Sequence, residues 1–280
     1  MSDRRASRTA VGVAALRAAH QIFDPEPRIL DDRIAERLLD DDTRQGMRAH
    51  PDRLRTPLVS ALRTHVVVRS RFAEDRLADA VAAGVRQYVL LGAGLDTFAY
   101  RQPAWASALP IIEVDQPASQ ADKRERLARA GIPVPANVTF VPIDFETTSL
   151  ADGLAAARVD LRIPTFVSWL GVMMYLTRDA IDAVFRVVRH LPPPSEIVFT
   201  FSPSADDIAG GPGSRLAGYV AELGEPFRTH LSPDELVAWL CELGFSRVDL
   251  LTPDEIEARY VRGAEGLRVS RRTTIASARV

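Results

Sequence analysis

The sequence predicts an α/β fold: a doubly wound, mostly parallel seven-stranded sheet with an antiparallel pair at one edge, an N-terminal helical cover and an inserted lid. Three observations carry that prediction. Short apolar runs alternate with stretches of helical periodicity, the pattern of right-handed strand–helix–strand crossovers. One of these runs leads straight into Gly92, Ala93 and Gly94, the kind of strand end at which such sheets bind ligands. The composition, 46% hydrophobic and 26% charged over 280 residues, is that of a globular chain and excludes a disordered or fibrous one.

Along the chain, the first 80 residues read as helices. Asp31, Asp32 and Asp40 to Asp42 stand at their turns and termini, where acids cap helices more often than they gather a metal. Val85 to Leu91, Leu109 to Val114, Val138 to Ile143, Thr165 to Leu170 and Ile197 to Phe201 are continuous apolar runs bounded by Gly, Pro or Asp. Runs of that length suit strands covered on both faces. Helical patterns follow at Gln116 to Ala130 and at Arg178 to His190, the second with Thr177 as N-cap and Ile181, Val184, Phe185 and Val188 on one face. Ser202 to Phe227, rich in Pro, Gly, Ser and Asp, interrupts the alternation as a lid. Ser232, Pro233 and Glu235 then announce a helix with a capping box, and Gly244 ends it. Phe245 to Leu251 and Thr273 to Ala278 supply the antiparallel edge pair. The expected organisation is one domain, 1–280, made of a cover (1–80), a ligand-binding core (81–201), a lid (202–235) and a C-terminal helix with edge strands (236–280).

Charge and cysteine usage narrow the partners. Net charge is -2, with Lys123 the only lysine among 35 basic residues, so the basic excess of a phosphate-binding protein is missing and nucleic acid is not an expected partner. The longest apolar segment, Phe166 to Leu176, falls short of the roughly 20 residues that span a bilayer. A single Cys241 excludes a disulfide framework and reads as a small core side chain in a reducing, cytoplasmic compartment. The sequence is silent on oligomeric state.

The stretch QYVLLGAGLDTFAYR, Gln87 to Arg101, carries the chemistry. Glycines at a strand end let a ligand lie against the backbone. A dinucleotide fingerprint needs a third glycine three residues after Gly94, and that position is Thr97. The geography is nucleoside-binding without a pyrophosphate cradle. The next strand ends in Asp115, 21 residues after Gly94, where an acid can accept both hydroxyls of a ribose; Glu113, on the same face, is the competitor. The third strand ends in Asp144 and Phe145, a carboxylate and a ring suited to an adenine.

These residues carry a resemblance. RSRFAEDRLADAVAAGVRQYVLLGAGLDTFAYR, EVDQP, PIDFE and SWLGVMMYLTRDAI resemble the leucine carboxyl methyltransferase family, bacterial branch, of the class I S-adenosylmethionine-dependent methyltransferases. The resemblance spans nearly the whole chain, including TAVGVAALRA. It implies a Rossmann-like methyltransferase sheet, S-adenosyl-L-methionine as cofactor and S-adenosyl-L-homocysteine as product. It further implies that Arg69 clamps the methionine carboxylate and that Gly92, Ala93, Gly94 and Asp96 line methionine and ribose. Asp115 and Gln116 would face the ribose, Asp144 and Phe145 the adenine, and Leu170 the cofactor's donor end. Arg71 competes with Arg69, but on a helix the two point about 200° apart, so at most one faces the site. Where many relatives carry a glutamate before the glycine matching Gly171, this chain has Leu170. The protein-phosphatase acceptor of the eukaryotic relatives is not carried over.

The expected reaction is O-methylation of a carboxylate on a small-molecule or polyketide-type metabolite. Such an acceptor is ionised at neutral pH and needs no general base, whereas a phenol or alcohol needs one. Among the five histidines none has metal-ligand spacing or a paired acid at short range; His20, in the cover, is the best base candidate and Tyr175 the best acceptor contact. The rival expectations are a hydroxyl-directed O-methyltransferase of secondary metabolism, a non-catalytic S-adenosylmethionine-binding protein and an NAD-dependent oxidoreductase.

Overall fold

In a computed structural model, which describes residues 7–145, 147–203, 226–264 and 266–280, the seven expected strands form one sheet in the order β3-β2-β1-β4-β5-β7-β6. They are β1 (Gln87–Leu91), β2 (Ile111–Asp115), β3 (Val138–Pro142), β4 (Thr165–Trp169), β5 (Glu196–Thr200), β6 (Arg247–Leu251) and β7 (Ile275–Arg279). The first five run parallel, and β7 lies antiparallel between β5 and β6. The chain grows outward from β1 towards β3, then returns to lay β4 on the other side of β1. That reversal opens a crevice at the carboxyl ends of β1 and β4.

Alternation along the central strands divides the core. Val89 and Leu91 join one apolar cluster, with the buried faces of α7 (Leu150–Ala156), α8 (Arg178–Arg189) and α9 (Pro233–Glu242). Tyr88 and Leu90 join another, under the long α5 (Pro57–Ala82), as a period of two requires. The outer strand β3 is covered less completely than expected: Val138, Phe140 and Pro142 keep exposure because no neighbour lies beyond it.

Local signals explain the helix ends. Thr177 caps α8 by accepting the Ala180 N–H, and Ile181, Val184, Phe185 and Val188 are its buried face. Ser232 caps α9, but Glu235 turns away to pair with Arg178 (2.5 Å), so the expected capping box does not close there. A closed box forms at Thr252 and Glu255, starting α10 (Pro253–Ile256). Leu236 and Leu240 hold α9 to the core. Cys241, one residue further round, is exposed rather than the core side chain its apolar neighbourhood suggests.

The cover consists of α1 (Arg8–Phe23), α2 (Arg33–Arg37), α3 (Asp41–Ala49), α4 (Pro51–Leu54) and the start of α5. Asp32 and Asp40 cap α2 and α3, as the acid clusters imply, and no group of metal-ligating side chains occurs among the described residues. Leu95, at the glycine turn, packs into the apolar cluster formed by α1, α2 and α3. Most of the expected lid, 204–225, lies outside the described residues. No helix among the described residues is long and apolar enough to cross a membrane.

Candidate functional site

A cavity of about 590 Å³ occupies the crevice, within the range of small-molecule sites. It is walled by the ends of β1, β2, β3 and β4, by Arg69 and Ser70 of α5, and by the amino-terminal half of α1. Arg69, Gly92, Ala93, Gly94, Asp96, Asp115, Gln116, Asp144, Phe145, Leu170 and Tyr175 all line it, so eleven of the twelve sequence candidates converge on one space.

Backbone form explains the glycines. Gly92 has φ +64, and a Cβ there would strike Val172; Gly171 has φ +76, and a Cβ would lie 2.9 Å from both terminal nitrogens of Arg69. Only glycine takes these conformations without strain. Asp115, at the tip of β2, accepts the Gly94 N–H on Oδ2 and the Gln116 N–H on Oδ1. Burial pushes its carboxyl above the ordinary range, against the two N–H groups and Lys123, which favour the ionised form. Each oxygen keeps a further lone pair for a ligand hydroxyl. The competitor Glu113 is not in the cavity. It is buried behind it, with its carboxylate 2.7 Å from the Lys123 ammonium and accepting the Tyr100 hydroxyl.

The two arginines of α5 separate as helical phase requires. Arg71 is exposed and pairs with Asp75, whereas Arg69 is only 9% exposed and faces the cavity. Among the described residues no carboxylate lies within ion-pair distance of Arg69. Burial, reinforced by the charge of Arg17 and opposed by Tyr175 and Asp96, pushes its guanidinium down to about 10. A buried, unpaired cation is costly unless something completes it.

Two residues depart from expectation. His20 does not line the cavity: its Nδ1 meets Asp24 at 2.7 Å, and Asp24 is also bound by Arg63. That acid stands four residues on, one turn of α1, and is the short-range partner the sequence expectation lacks. Arg17 is a site residue that the strand-end pattern does not point to. It is 2% exposed, lines the cavity and donates to the Leu95 carbonyl and to Asp96 (3.4 Å), with Asp32 3.4 Å from its Nε. Its sequence signal is an arginine inside the mostly apolar run VGVAALRAA. Thr97, where a dinucleotide site needs glycine, is fully buried and accepts from Arg101.

Residues 10–189 match the family described as leucine carboxyl methyltransferase. The chain belongs to that family. Similar proteins cover most of its length. It is 30% identical to YktD of Bacillus subtilis (strain 168), over 91% of each chain, and 35% identical to a protein of Mycolicibacterium gilvum (strain PYR-GCK), over 79% of this chain and 72% of the other. Both are assigned as S-adenosyl-L-methionine-dependent methyltransferases. Two solved structures share the fold: a Thermobifida fusca YX protein described as a methyltransferase (TM-score 0.61, 17% identity, 99% of this chain and 96% of that one) and a DUF574 protein of Streptomyces avermitilis MA-4680 (0.57, 17%, 95% and 96%). The chain is thus an S-adenosyl-L-methionine-dependent methyltransferase with the class I sheet, and the cavity suits its cofactor. A buried cation waits at one end, a carboxylate with free lone pairs at the middle and an aromatic ring beside Asp144 at the other.

Proposed function

We propose that the protein is a carboxyl O-methyltransferase acting on a small organic acid, with the cofactor laid across the β-strand tips. The cofactor's placement rests on the Arg69 guanidinium at the cavity wall, which has no carboxylate within ion-pair distance among the described residues, and the acceptor class rests on a described lining that includes no histidine. The planar fork of Arg69 matches a carboxylate, which the cofactor's methionine end presents. Asp115 receives the ribose hydroxyls and Asp144 with Phe145 the adenine. The backbone at Gly92 to Gly94 supplies the space between, and Asp96 lies within reach of the amino group.

Bound there, the cofactor would supply a methyl group on a positively charged sulfur, open to displacement. The chain's part is to hold an acceptor oxygen in line and exclude water. Tyr175 and Leu176, on the turn after β4, and Val172 wall the side facing Pro226 and Arg228. The Arg228 N–H and the Thr229 N–H both donate to the Met174 carbonyl, fixing that segment across the opening. The resemblance implies an acid where this chain has Leu170, so this position adds no negative charge against an anionic acceptor. No histidine lines the cavity among the described residues. A carboxylate needs none: it is already ionised at neutral pH and would accept the methyl group without giving up a proton.

The test is transfer of labelled methyl from S-adenosyl-L-methionine to a panel of carboxylic acids, phenols and alcohols. Label recovered in an alkali-labile ester supports the proposal. Label recovered only in alkali-stable ethers would replace it with hydroxyl methylation.

A further inference from the structure

Arg17 belongs to α1, outside the sheet, yet its guanidinium reaches the turn that follows the glycines. It donates to the Leu95 carbonyl and to Asp96, residues 78 and 79 positions on. Asp32, 0% exposed, lies 3.4 Å from Arg17 and 3.5 Å from Arg101, and Arg101 in turn holds Glu74 of α5. One buried charge cluster therefore ties α1, the cap of α2, α5 and the glycine turn together. The cluster is not fully satisfied: Arg17 Nε and Asp32 Oδ2 are buried without a hydrogen-bond partner. Ala10, two turns earlier on α1, lies against Gly94, whose added Cβ would stand 3.4 Å from the alanine's own. The helix thus forms part of the cavity wall rather than merely shielding it.

Arg17 and Arg69 both line that cavity, close enough for the charge of Arg17 to disfavour that of Arg69, and Asp96 attracts both. Arg17 has Asp32 and Asp96 within ion-pair distance, and among the described residues Arg69 has no acid that close. A ligand carboxylate on Arg69 cancels the charge that repels Arg17, and so stabilises α1 in its docked position. By reciprocity, a docked α1 raises affinity for that ligand.

We propose that Arg17 is a positioning residue that couples docking of the N-terminal helix to occupation of the cavity by the amino-acid end of the cofactor. The proposal rests on the cofactor reading above. It makes α1 a cover that tightens on a complete cofactor and not on a nucleoside fragment.

The experiment compares S-adenosyl-L-homocysteine with 5′-methylthioadenosine, which keeps adenine and ribose but lacks the amino-acid group. Amide hydrogen exchange of residues 10–23 is measured in the full chain with each ligand at saturation. The homocysteine compound is expected to slow exchange across α1, and the fragment to leave it near the ligand-free rate. In Arg17→Met the homocysteine compound loses roughly five- to tenfold in affinity and its protection of α1, while the fragment binds as before. Arg17→Lys, which keeps the charge without the fork, falls between. Equal protection of α1 by both ligands in the wild-type chain would overturn the coupling, even if Arg17→Met failed to fold. Failure of the homocysteine compound to bind the wild-type chain would instead remove the cofactor reading.

Discussion

Arg69→Met should make the protein more stable and a poorer binder at once. The guanidinium is pushed down to about 10 by burial and by Arg17, which at about 1.36 kcal/mol per pH unit corresponds to a penalty on the order of 3 kcal/mol for holding it charged. The sign follows from the direction. A base whose folded value is lowered weakens the fold wherever it is protonated, so the penalty is complete at neutral pH and fades only above about 10. Methionine keeps the aliphatic stem and removes the charge. Allowing for imperfect packing, the ligand-free variant should gain about 1–3 kcal/mol, and melting should rise by about 2–4 °C for each of these. The same change removes the carboxylate partner. Affinity for S-adenosyl-L-homocysteine should fall by about 1.5–3 kcal/mol, roughly 10- to 150-fold, the scale of hydrogen bonds to a charged group. 5′-Methylthioadenosine should bind unchanged. Calorimetric titration and thermal melts on the same preparations read both effects. A variant that melts lower and loses both ligands alike would show Arg69 to be a structural cation, refuting its role as a carboxylate clamp.

Gly171→Ala must place a methyl 2.9 Å from both Arg69 terminal nitrogens at φ +76, so it should cost about 1 kcal/mol in backbone strain and weaken homocysteine-compound binding more than fragment binding in titration. Because burial raises the Asp115 carboxyl, cofactor affinity should decline, as pH falls, at a higher pH than for an ordinary aspartate. The wild-type curve, set against a weak and flat one for Asp115→Asn, checks this, and parallel curves would count against the ribose role. Cys241 is exposed and is not among the residues that line the cavity, so iodoacetamide should alkylate it in the native protein with no loss of methyl transfer, as intact mass and a turnover assay would show.

Much of this site is written in local sequence. Gly92 to Gly94, Asp115, Asp144 and Phe145 each end a strand, so strand order alone gathers them, and helical phase separates Arg69 from Arg71. What escaped depends on contacts between distant segments. Arg17 is legible only once α1 is known to lie over the turn at Leu95 and Asp96. Glu113 and Asp115 share a face of β2, and contacts to Lys123 on α6 (Pro117–Arg129) and to Tyr100 mark off the buried structural acid from the cavity-facing one. His20 is the opposite case: Asp24, one turn on, was visible in the sequence and is the group that holds it away from the site. Cys241 shows the limit of reading an amphipathic run by composition, since Leu236 and Leu240 define the buried face and leave the next position outside it.

The most direct test of the account is calorimetric titration of the full chain with S-adenosyl-L-methionine and S-adenosyl-L-homocysteine, with NADH as the control. Micromolar binding of both sulfur compounds, and none of NADH, is the predicted result. Binding of NADH without either of them would mean that the glycine turn and Asp115 serve a dinucleotide, and would contradict the cofactor assignment on which the proposed carboxyl methylation stands.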